Sequence, residues 1–134
     1  MKKSFILITI GLLIFTSCKK QQDDIPVVPA QSRTIHFALY TDQDFSTNNN
    51  NITFTLSIHK ASGQVLWDSV LAPMAIKNIP LAAHKITVDK LVPNDDGSLL
   101  KVGFLYAIDG VGNSWYLDSC KTGEKDKAVI FNFR

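Results

Sequence analysis

The stretch Ile52-Thr53-Phe54-Thr55-Leu56-Ser57-Ile58-His59-Lys60 decides the fold, because apolar and polar side chains alternate along it without a break. Alternation with a period of two places the two sets on opposite faces of a β-strand. The apolar set is Ile52, Phe54, Leu56 and Ile58, and the polar set is Thr53, Thr55, Ser57 and His59. β-branched and aromatic residues are common in the stretch, as they are in strands generally. We therefore predict a strand over 52–60 with one face against a core.

Short segments of the same kind follow on both sides of this strand. Ala61-Ser62-Gly63-Gln64 predicts a hairpin turn into a strand over 65–71, because Gly63 tolerates a positive φ. Pro73 and Pro80 bracket a short segment over 74–79, for which we predict an edge strand. Further strands are predicted over 34–41, 84–92, 99–108, 114–120 and 128–133, with a dense turn signal over 93–98. Their predicted core-facing residues include Ile35, Phe37, Leu39, Ile86, Val88, Val129, Phe131 and Phe133.

Seven or eight short strands without an amphipathic helix predict an all-β fold, a single antiparallel β-sandwich over residues 31–134. A chain of that length suffices for one hydrophobic core. The segment Ile76–Val88, in which Ile79-Pro80 leads into a strand, is similar to a passage of transthyretin-like domains, although no glycine follows Pro80. An immunoglobulin-like sandwich is the alternative type, but the sequence lacks the Cys…Trp…Cys spacing of true immunoglobulin domains.

The N-terminus carries a targeting signal. A basic start, Met1-Lys2-Lys3, precedes an apolar run of 11 residues from Phe5 to Phe15. Such a run fits the core of a secretory signal and is shorter than the roughly 20 residues that span a bilayer. Phe15-Thr16-Ser17-Cys18 resembles the lipobox of bacterial lipoproteins. The resemblance implies that Cys18 is acylated and that residues 1–17 are a signal peptide cleaved between Ser17 and Cys18. An uncleaved anchor and an ordinary secretory cysteine are the alternatives.

Residues 18–30 would then form the lipidated cysteine and a flexible tether, polar at first and punctuated by Pro26 and Pro29. The stretch Lys19-Lys20-Gln21-Gln22-Asp23-Asp24 resembles the signal that sends some Gram-negative lipoproteins to the outer face of the outer membrane. That resemblance implies an outer-membrane protein facing the cell exterior. A solvated spacer is the alternative, because charged residues are common after an anchor.

Charge and composition exclude some partners. The chain has 14 basic and 12 acidic residues, and loss of Lys2 and Lys3 with the signal leaves 12 of each. A neutral domain without a basic cluster after Arg33 lacks the positive surface that nucleic acid binding requires. We therefore expect a monomeric domain that contacts the membrane through its lipid and binds no nucleic acid. An envelope protein or a glycan remains as the partner.

Asp42 and Asp44, followed by Asn48–Asn51, are weak candidates for a calcium site, since Ca²⁺ prefers oxygen ligands. The stretch does not match an EF-hand, which needs glycine where Thr47 stands and glutamate where Thr53 stands. Aspartate and asparagine are also ordinary loop residues. We expect neither a metal nor another cofactor.

Catalytic residues are not evident from spacing. Cys120 with His36, His59 or His84 would supply a thiol and a base, but no Gly-rich turn or third group accompanies them. We expect the thiol of Cys120 to be shielded by neighbours such as Trp115 and Leu117. Glu124 is the only glutamate, so a carboxylate pair would have to come from aspartates.

The hairpin around residue 110 offers the one candidate ligand contact. Asp109, Trp115 and Tyr116 could stack on and hydrogen-bond to a sugar or a peptide. The alternative is that one aromatic is a core residue and the other an ordinary surface residue. Two function classes follow: a non-catalytic binding or accessory module of the cell envelope, and an unrecognised envelope hydrolase or thiol enzyme. The first is favoured, because no spaced catalytic set is present.

Overall fold

The computed structural model describes residues 30–134, and in them eight strands and two short 3-10 helices. The predicted lipid site at Cys18, the cleavage site after Ser17 and the export stretch over 19–24 lie outside the described residues. The strands are β1 (Gln31–Thr41), β2 (Asn51–Lys60), β3 (Val65–Val70), β4 (Met74–Ala75), β5 (Ile86–Asp95), β6 (Leu100–Ile108), β7 (Gly112–Cys120) and β8 (Asp126–Phe133).

Two sheets pack face to face, which confirms the predicted all-β sandwich. The smaller sheet has the order β5-β1-β8, and the larger one has the order β3-β2-β6-β7 with β4 paired to β2. All pairs are antiparallel except β1 with β8, which run in the same direction. A parallel pair needs a long connection, and these two strands lie at opposite ends of the domain sequence.

The alternation in β2 is reproduced in the structure: Ile52, Phe54, Leu56 and Ile58 are all fully buried. Phe54 packs edge-on against Phe131 and Phe133 of the other sheet, with ring centroids 6.3 and 6.0 Å apart. The predicted inward faces of β1 and β8 are confirmed too, since Ile35, Phe37, Leu39 and Val129 are buried with them. Interdigitation of these two faces makes the core.

Two predicted segments differ from the structure. The edge strand over 74–79 is wrong beyond Ala75, because Ile76–Asn78 form a 3-10 helix that buries Ile76. The strand predicted over 84–92 instead runs from Ile86 to Asp95 and takes in half of the predicted turn. Pro93 is tolerated there because β5 is an edge strand that pairs only with β1. Asn94, with a φ of 53°, marks the irregularity in that pairing.

The sandwich has two distinct ends. At the N-terminal end, where β1 begins, lie the turn at Gly63, the turn over 96–99 and the loop over 121–125, and the Gly123 amide donates to the Gly97 carbonyl at 2.9 Å. At the opposite end, which we call the hairpin end, lie the loop over 42–50 and the β6–β7 turn over 109–111. These are joined where the Asp109 amide donates to the Asn51 carbonyl at 3.0 Å.

Candidate functional site

The outward face of the larger sheet carries two rows of side chains that cross four strands. Thr55 of β2 lies between Val70 of β3 and Leu105 of β6, and Leu105 in turn lies beside Trp115 of β7. Directly paired residues on one face of an antiparallel sheet have their Cβ atoms about 4.5–5.5 Å apart. The pairing therefore places these four side chains next to one another. The neighbouring row is Asp68, Ser57, Gly103 and Leu117.

Large apolar side chains on this face are open to solvent. Trp115 is 68% exposed, Val70 64%, Leu117 50% and Leu105 41%. Single exposed apolar residues are ordinary on protein surfaces, but several on one face indicate an interaction site. No described element covers this face, because β2, β3, β6 and β7 meet the smaller sheet with their other side.

Two shallow depressions share Leu105 and Trp115 as a common wall, and we call them together the trough. The first, of about 230 Å³, lies toward the hairpin end and is also lined by Thr53, Thr55, Tyr106, Ala107, Asn113 and Ser114. The second, of about 240 Å³, lies toward the N-terminal end and is lined by Ser57, His59, Lys101 and Leu117. Each is smaller than the roughly 300–1,000 Å³ of a typical small-molecule pocket.

Gly103 shapes the middle of the trough. A Cβ atom added at this position would meet the backbone carbonyl of Tyr116 and lie 3.0 Å from the Cα of Leu117. Glycine therefore lets β7 approach β6 closely here, and lets the Leu117 side chain lie across the position. No local sequence signal distinguishes this glycine from one in a turn.

The three residues predicted as ligand contacts are separated by the fold. Tyr116 faces inward and stacks on Phe131 with ring centroids 4.9 Å apart and an interplanar angle of 3°. Trp115 faces outward on the trough, because successive residues of a strand point to opposite faces. Asp109 is exposed in the β6–β7 turn and does not line the trough. Of the three, only Trp115 contributes its side chain to the candidate surface.

Ser57, His59 and Asp68 meet beside the trough in a way that sequence spacing alone did not reveal. The Ser57 Oγ lies 2.6 Å from the His59 Nε2, and the Asp68 Oδ1 lies 3.2 Å from that same nitrogen. A catalytic relay needs the carboxylate on one ring nitrogen and the hydroxyl on the other. With both groups on Nε2, the cluster is a polar contact and has no relay geometry.

The other two histidines lie on other parts of the surface. His36 lies on the outer face of the smaller sheet, where its Nδ1 is 2.8 Å from the Asp89 Oδ1. His84 ends the second 3-10 helix and is exposed. Neither residue, nor His59, is a hydrogen-bond partner of Cys120 in the described structure. The predicted thiol–histidine pair therefore has no geometric support there.

Cys120 is fully buried at the N-terminal end, as expected, but the groups that shield it are different. Trp115 and Leu117 point to the opposite face of β7. The thiol instead lies 3.9 Å from the Arg33 Nη1 and donates to the Glu124 carbonyl at 3.5 Å. Burial raises the pKa of the Cys120 thiol, with a smaller opposing effect from Arg33. A raised pKa leaves little thiolate at neutral pH, and the thiolate is the reactive form.

Arg33 forms a buried ion pair that the sequence analysis missed. Its Nε lies 2.9 Å from the Asp95 Oδ2, and both side chains are almost completely buried. The Asp95 Oδ2 also accepts the Gly97 amide at 3.0 Å. The pair is imperfect, because the Arg33 Nε–H does not form a well-directed hydrogen bond and the Asp95 Oδ1 has no partner among the described residues. A lone arginine in a strand and an aspartate in a turn signal carry no hint of this contact.

The candidate calcium residues are satisfied by protein groups. Asp42 accepts hydrogen bonds from Asn132 at 2.9 Å and from Gln43 at 2.9 Å, and the Asn132 bond is the main cause of its lowered pKa. Asp44 caps the Ser46 amide at 2.9 Å, which lowers its pKa as well. Within residues 30–134, no group of three or more histidine, cysteine or acidic side chains is placed to hold a metal ion.

Over the same residues, no helix has the length and apolar character needed to cross a membrane. Comparison with known proteins returned no match to a family model, to a curated protein or to a solved structure.

Proposed function

We propose that this chain is a lipid-anchored protein of the bacterial cell envelope whose β-sandwich is a non-catalytic binding module. The observation that carries the binding role is the trough, where Trp115, Leu105 and Leu117 are exposed, with Val70 exposed on the same face of the sheet. Contact of these apolar side chains with water is unfavourable in free energy, and a bound ligand or partner would remove that contact. A paired sheet is also a rigid support, which lowers the entropy lost on binding.

The proposed anchor rests on the resemblance of Phe15-Thr16-Ser17-Cys18 to a lipobox and on the short apolar run before it. Two or more acyl chains hold a protein stably on a membrane, whereas one chain holds it only marginally. The segment between Cys18 and Ala30 would reach up to about 40 Å if fully extended. Because the described chain starts at the N-terminal end of the sandwich, the tether would join the domain at that end.

Replacement of the lipid-accepting residue tests the anchor. Cys18→Ser removes the thiol, so the variant should accumulate as uncleaved precursor or as a released species in a fractionation of cells. Ser17→Ala is the matched control, because it keeps a small residue before the cysteine and should remain processed and membrane-bound. Membrane attachment of a processed Cys18→Ser protein would contradict the proposal.

A second substitution tests the proposed location at the outer face. Changing Asp23 and Asp24 to alanine leaves the lipobox intact and alters only the stretch that resembles an export signal. If that stretch directs export, the variant should stay membrane-bound but resist protease added outside intact cells. Protease sensitivity equal to that of the wild type would favour a simple spacer and remove the support for the outer face.

Co-sedimentation with isolated cell envelopes tests the binding role. The full chain, kept soluble in detergent, should sediment with the envelopes, and Trp115→Ala should reduce the bound fraction. Ile130→Ala is the control, since Ile130 is a 53% exposed apolar residue on the other sheet. A thiol enzyme, the alternative class, would instead depend on Cys120 and tolerate Trp115→Ala. Equal binding by the wild type and Trp115→Ala would refute the trough as the binding site.

A further inference from the structure

We infer that the trough binds an uncharged polysaccharide, with the indole of Trp115 stacked on a sugar ring and neighbouring hydroxyl and amide side chains bonded to the sugar hydroxyls. This inference rests on the proposed binding function and names the ligand class of the same surface.

Trp115 supplies the stacking group. It lies on β7, at the edge of the larger sheet, and is the most exposed aromatic among the large apolar residues on the surface. It makes no ring contact with another aromatic side chain among the described residues, in contrast to Tyr116 directly after it. An indole presents a broad apolar face with negative charge density, which suits the polarised C–H bonds on one face of a pyranose ring.

The groups around Trp115 are polar but uncharged in the first depression. Thr53, Thr55, Asn113 and Ser114 line it, and none of the charged side chains that the structure describes does. Hydroxyl and amide groups both donate and accept hydrogen bonds, as sugar hydroxyls do. An anionic ligand would find no cation here to offset the loss of its hydration, which is costly for a charge. The lining thus matches a neutral saccharide.

Among the described residues, basic side chains line only the second depression of the trough, toward the N-terminal end. His59 is already in contact with Ser57 and Asp68, so these three polar side chains are partly occupied by one another. Lys101 lines the same depression. One lysine with one neighbouring aspartate leaves no strong net charge, which again favours an uncharged ligand over an acidic one.

The shape of the trough favours a polymer over a single sugar. Its lining runs along β6 from Lys101 to Ala107, a distance of about 20 Å at 3.4 Å per residue. Neither depression is large enough to enclose a typical small-molecule ligand. A long, shallow surface can contact several consecutive sugar rings of a polysaccharide, each of them weakly. The rest of the polysaccharide then stays in solvent.

The distribution of apolar residues argues against a protein partner at this face. Thr55 separates Val70 from Leu105, so among the described residues the adjacent exposed apolar side chains of this face are Leu105, Trp115 and Leu117. The centre of a protein–protein interface is usually a contiguous and fully desolvated apolar cluster. Three apolar side chains bordered by hydroxyl and amide groups instead suit a ligand that has apolar ring faces and hydroxyls on its edges.

Affinity electrophoresis tests the inference with the full chain, held in a zwitterionic detergent that has no sugar headgroup. Native gels would contain dissolved laminarin, xyloglucan, galactomannan or soluble starch, and polygalacturonate as the acidic counterpart. At least one neutral polysaccharide should retard the protein in proportion to its concentration. Trp115→Ala should weaken the apparent affinity by about tenfold or more, since it removes the stacking group. Trp115→Phe should retain part of the affinity, and Ile130→Ala should retain all of it.

The outcomes separate this inference from the function on which it rests. Retardation by polygalacturonate alone, or retardation by a neutral polysaccharide that Trp115→Ala leaves unchanged, would overturn the neutral-saccharide inference. So would the absence of retardation combined with Trp115-dependent binding to a purified envelope protein or to a second copy of the chain; the proposed binding role would then survive. If no polysaccharide retards the chain and its envelope co-sedimentation is also independent of Trp115, both are refuted.

Discussion

Removing one partner of the buried ion pair at the N-terminal end should destabilise the domain more than removing both. In Arg33→Met, the Asp95 carboxylate would stay buried and lose the guanidinium 2.9 Å away. In Asp95→Asn, the Arg33 charge would be left buried, while the amide oxygen could still accept the Gly97 amide. The double variant Arg33→Met/Asp95→Asn contains neither charge.

The expected magnitudes follow from burial and geometry. An uncompensated buried charge costs about 3–5 kcal/mol when its partner is removed, a large share of the roughly 5–15 kcal/mol by which domains are stable. The native pair recovers its desolvation cost poorly, because the Arg33 Nε–H is not well directed and, within residues 30–134, the Asp95 Oδ1 is unpaired. We therefore expect the double variant to lie within about 2 kcal/mol of the wild type and to be more stable than either single variant.

Urea unfolding at pH 7, followed by circular dichroism on a soluble form lacking residues 1–18, measures all four free energies of unfolding. Equal slopes with urea concentration would show that the variants expose similar surface on unfolding. The reasoning would be refuted if either single variant were as stable as the wild type, or if the double variant were less stable than both singles. The second result would mean that the side chains act mainly by packing and by the contacts of Arg33 with Cys120 and Lys121.

Two further predictions concern the core. Phe54→Asp places an unpaired charge at a fully buried site and should cost at least about 4 kcal/mol, whereas Thr55→Asp, on the solvent side, should cost about 1 kcal/mol or less. Equal thermal melts for this pair would contradict the assignment of the two faces. Cys120 should react slowly with a thiol reagent in the native state and leave the soluble form monomeric without reductant, because the thiol is buried with a raised pKa. Rapid labelling, or a dimer that reductant dissolves on a gel, would disprove that shielding.

The strands with a solvent face could be predicted from the sequence, because their alternation reports burial directly. β2 and β8 show this best, since every residue predicted to face inward there is buried. The errors fall at edges, where the pattern weakens. At Pro93 the residue type suggested a turn, yet β5 continues to Asp95, since an edge strand needs hydrogen bonds on one side only.

The candidate site was predicted only in part, because it is assembled from four strands that are distant in sequence. Trp115 was identified as a possible contact from its residue type alone. Its neighbours Leu105 and Thr55 came together only through the pairing of β7 with β6 and of β6 with β2. Asp109 and Tyr116 are close to Trp115 in sequence but do not line the trough. Asp109 lies in the β6–β7 turn, and Tyr116 points to the core face because successive strand residues alternate.

By itself, the sequence determined that this domain is a β-sandwich and which side of most strands faces the core, because alternation is a local property of a strand. The sequence also predicts a targeting signal that ends at Cys18, because such a signal is a contiguous run of residues and needs no tertiary structure to be recognised. Strand order, the parallel contact of β1 with β8, the buried Arg33–Asp95 pair and the trough were decided only by the tertiary structure. The physical reason is that each joins residues far apart in the chain, and no local pattern records which strands become neighbours.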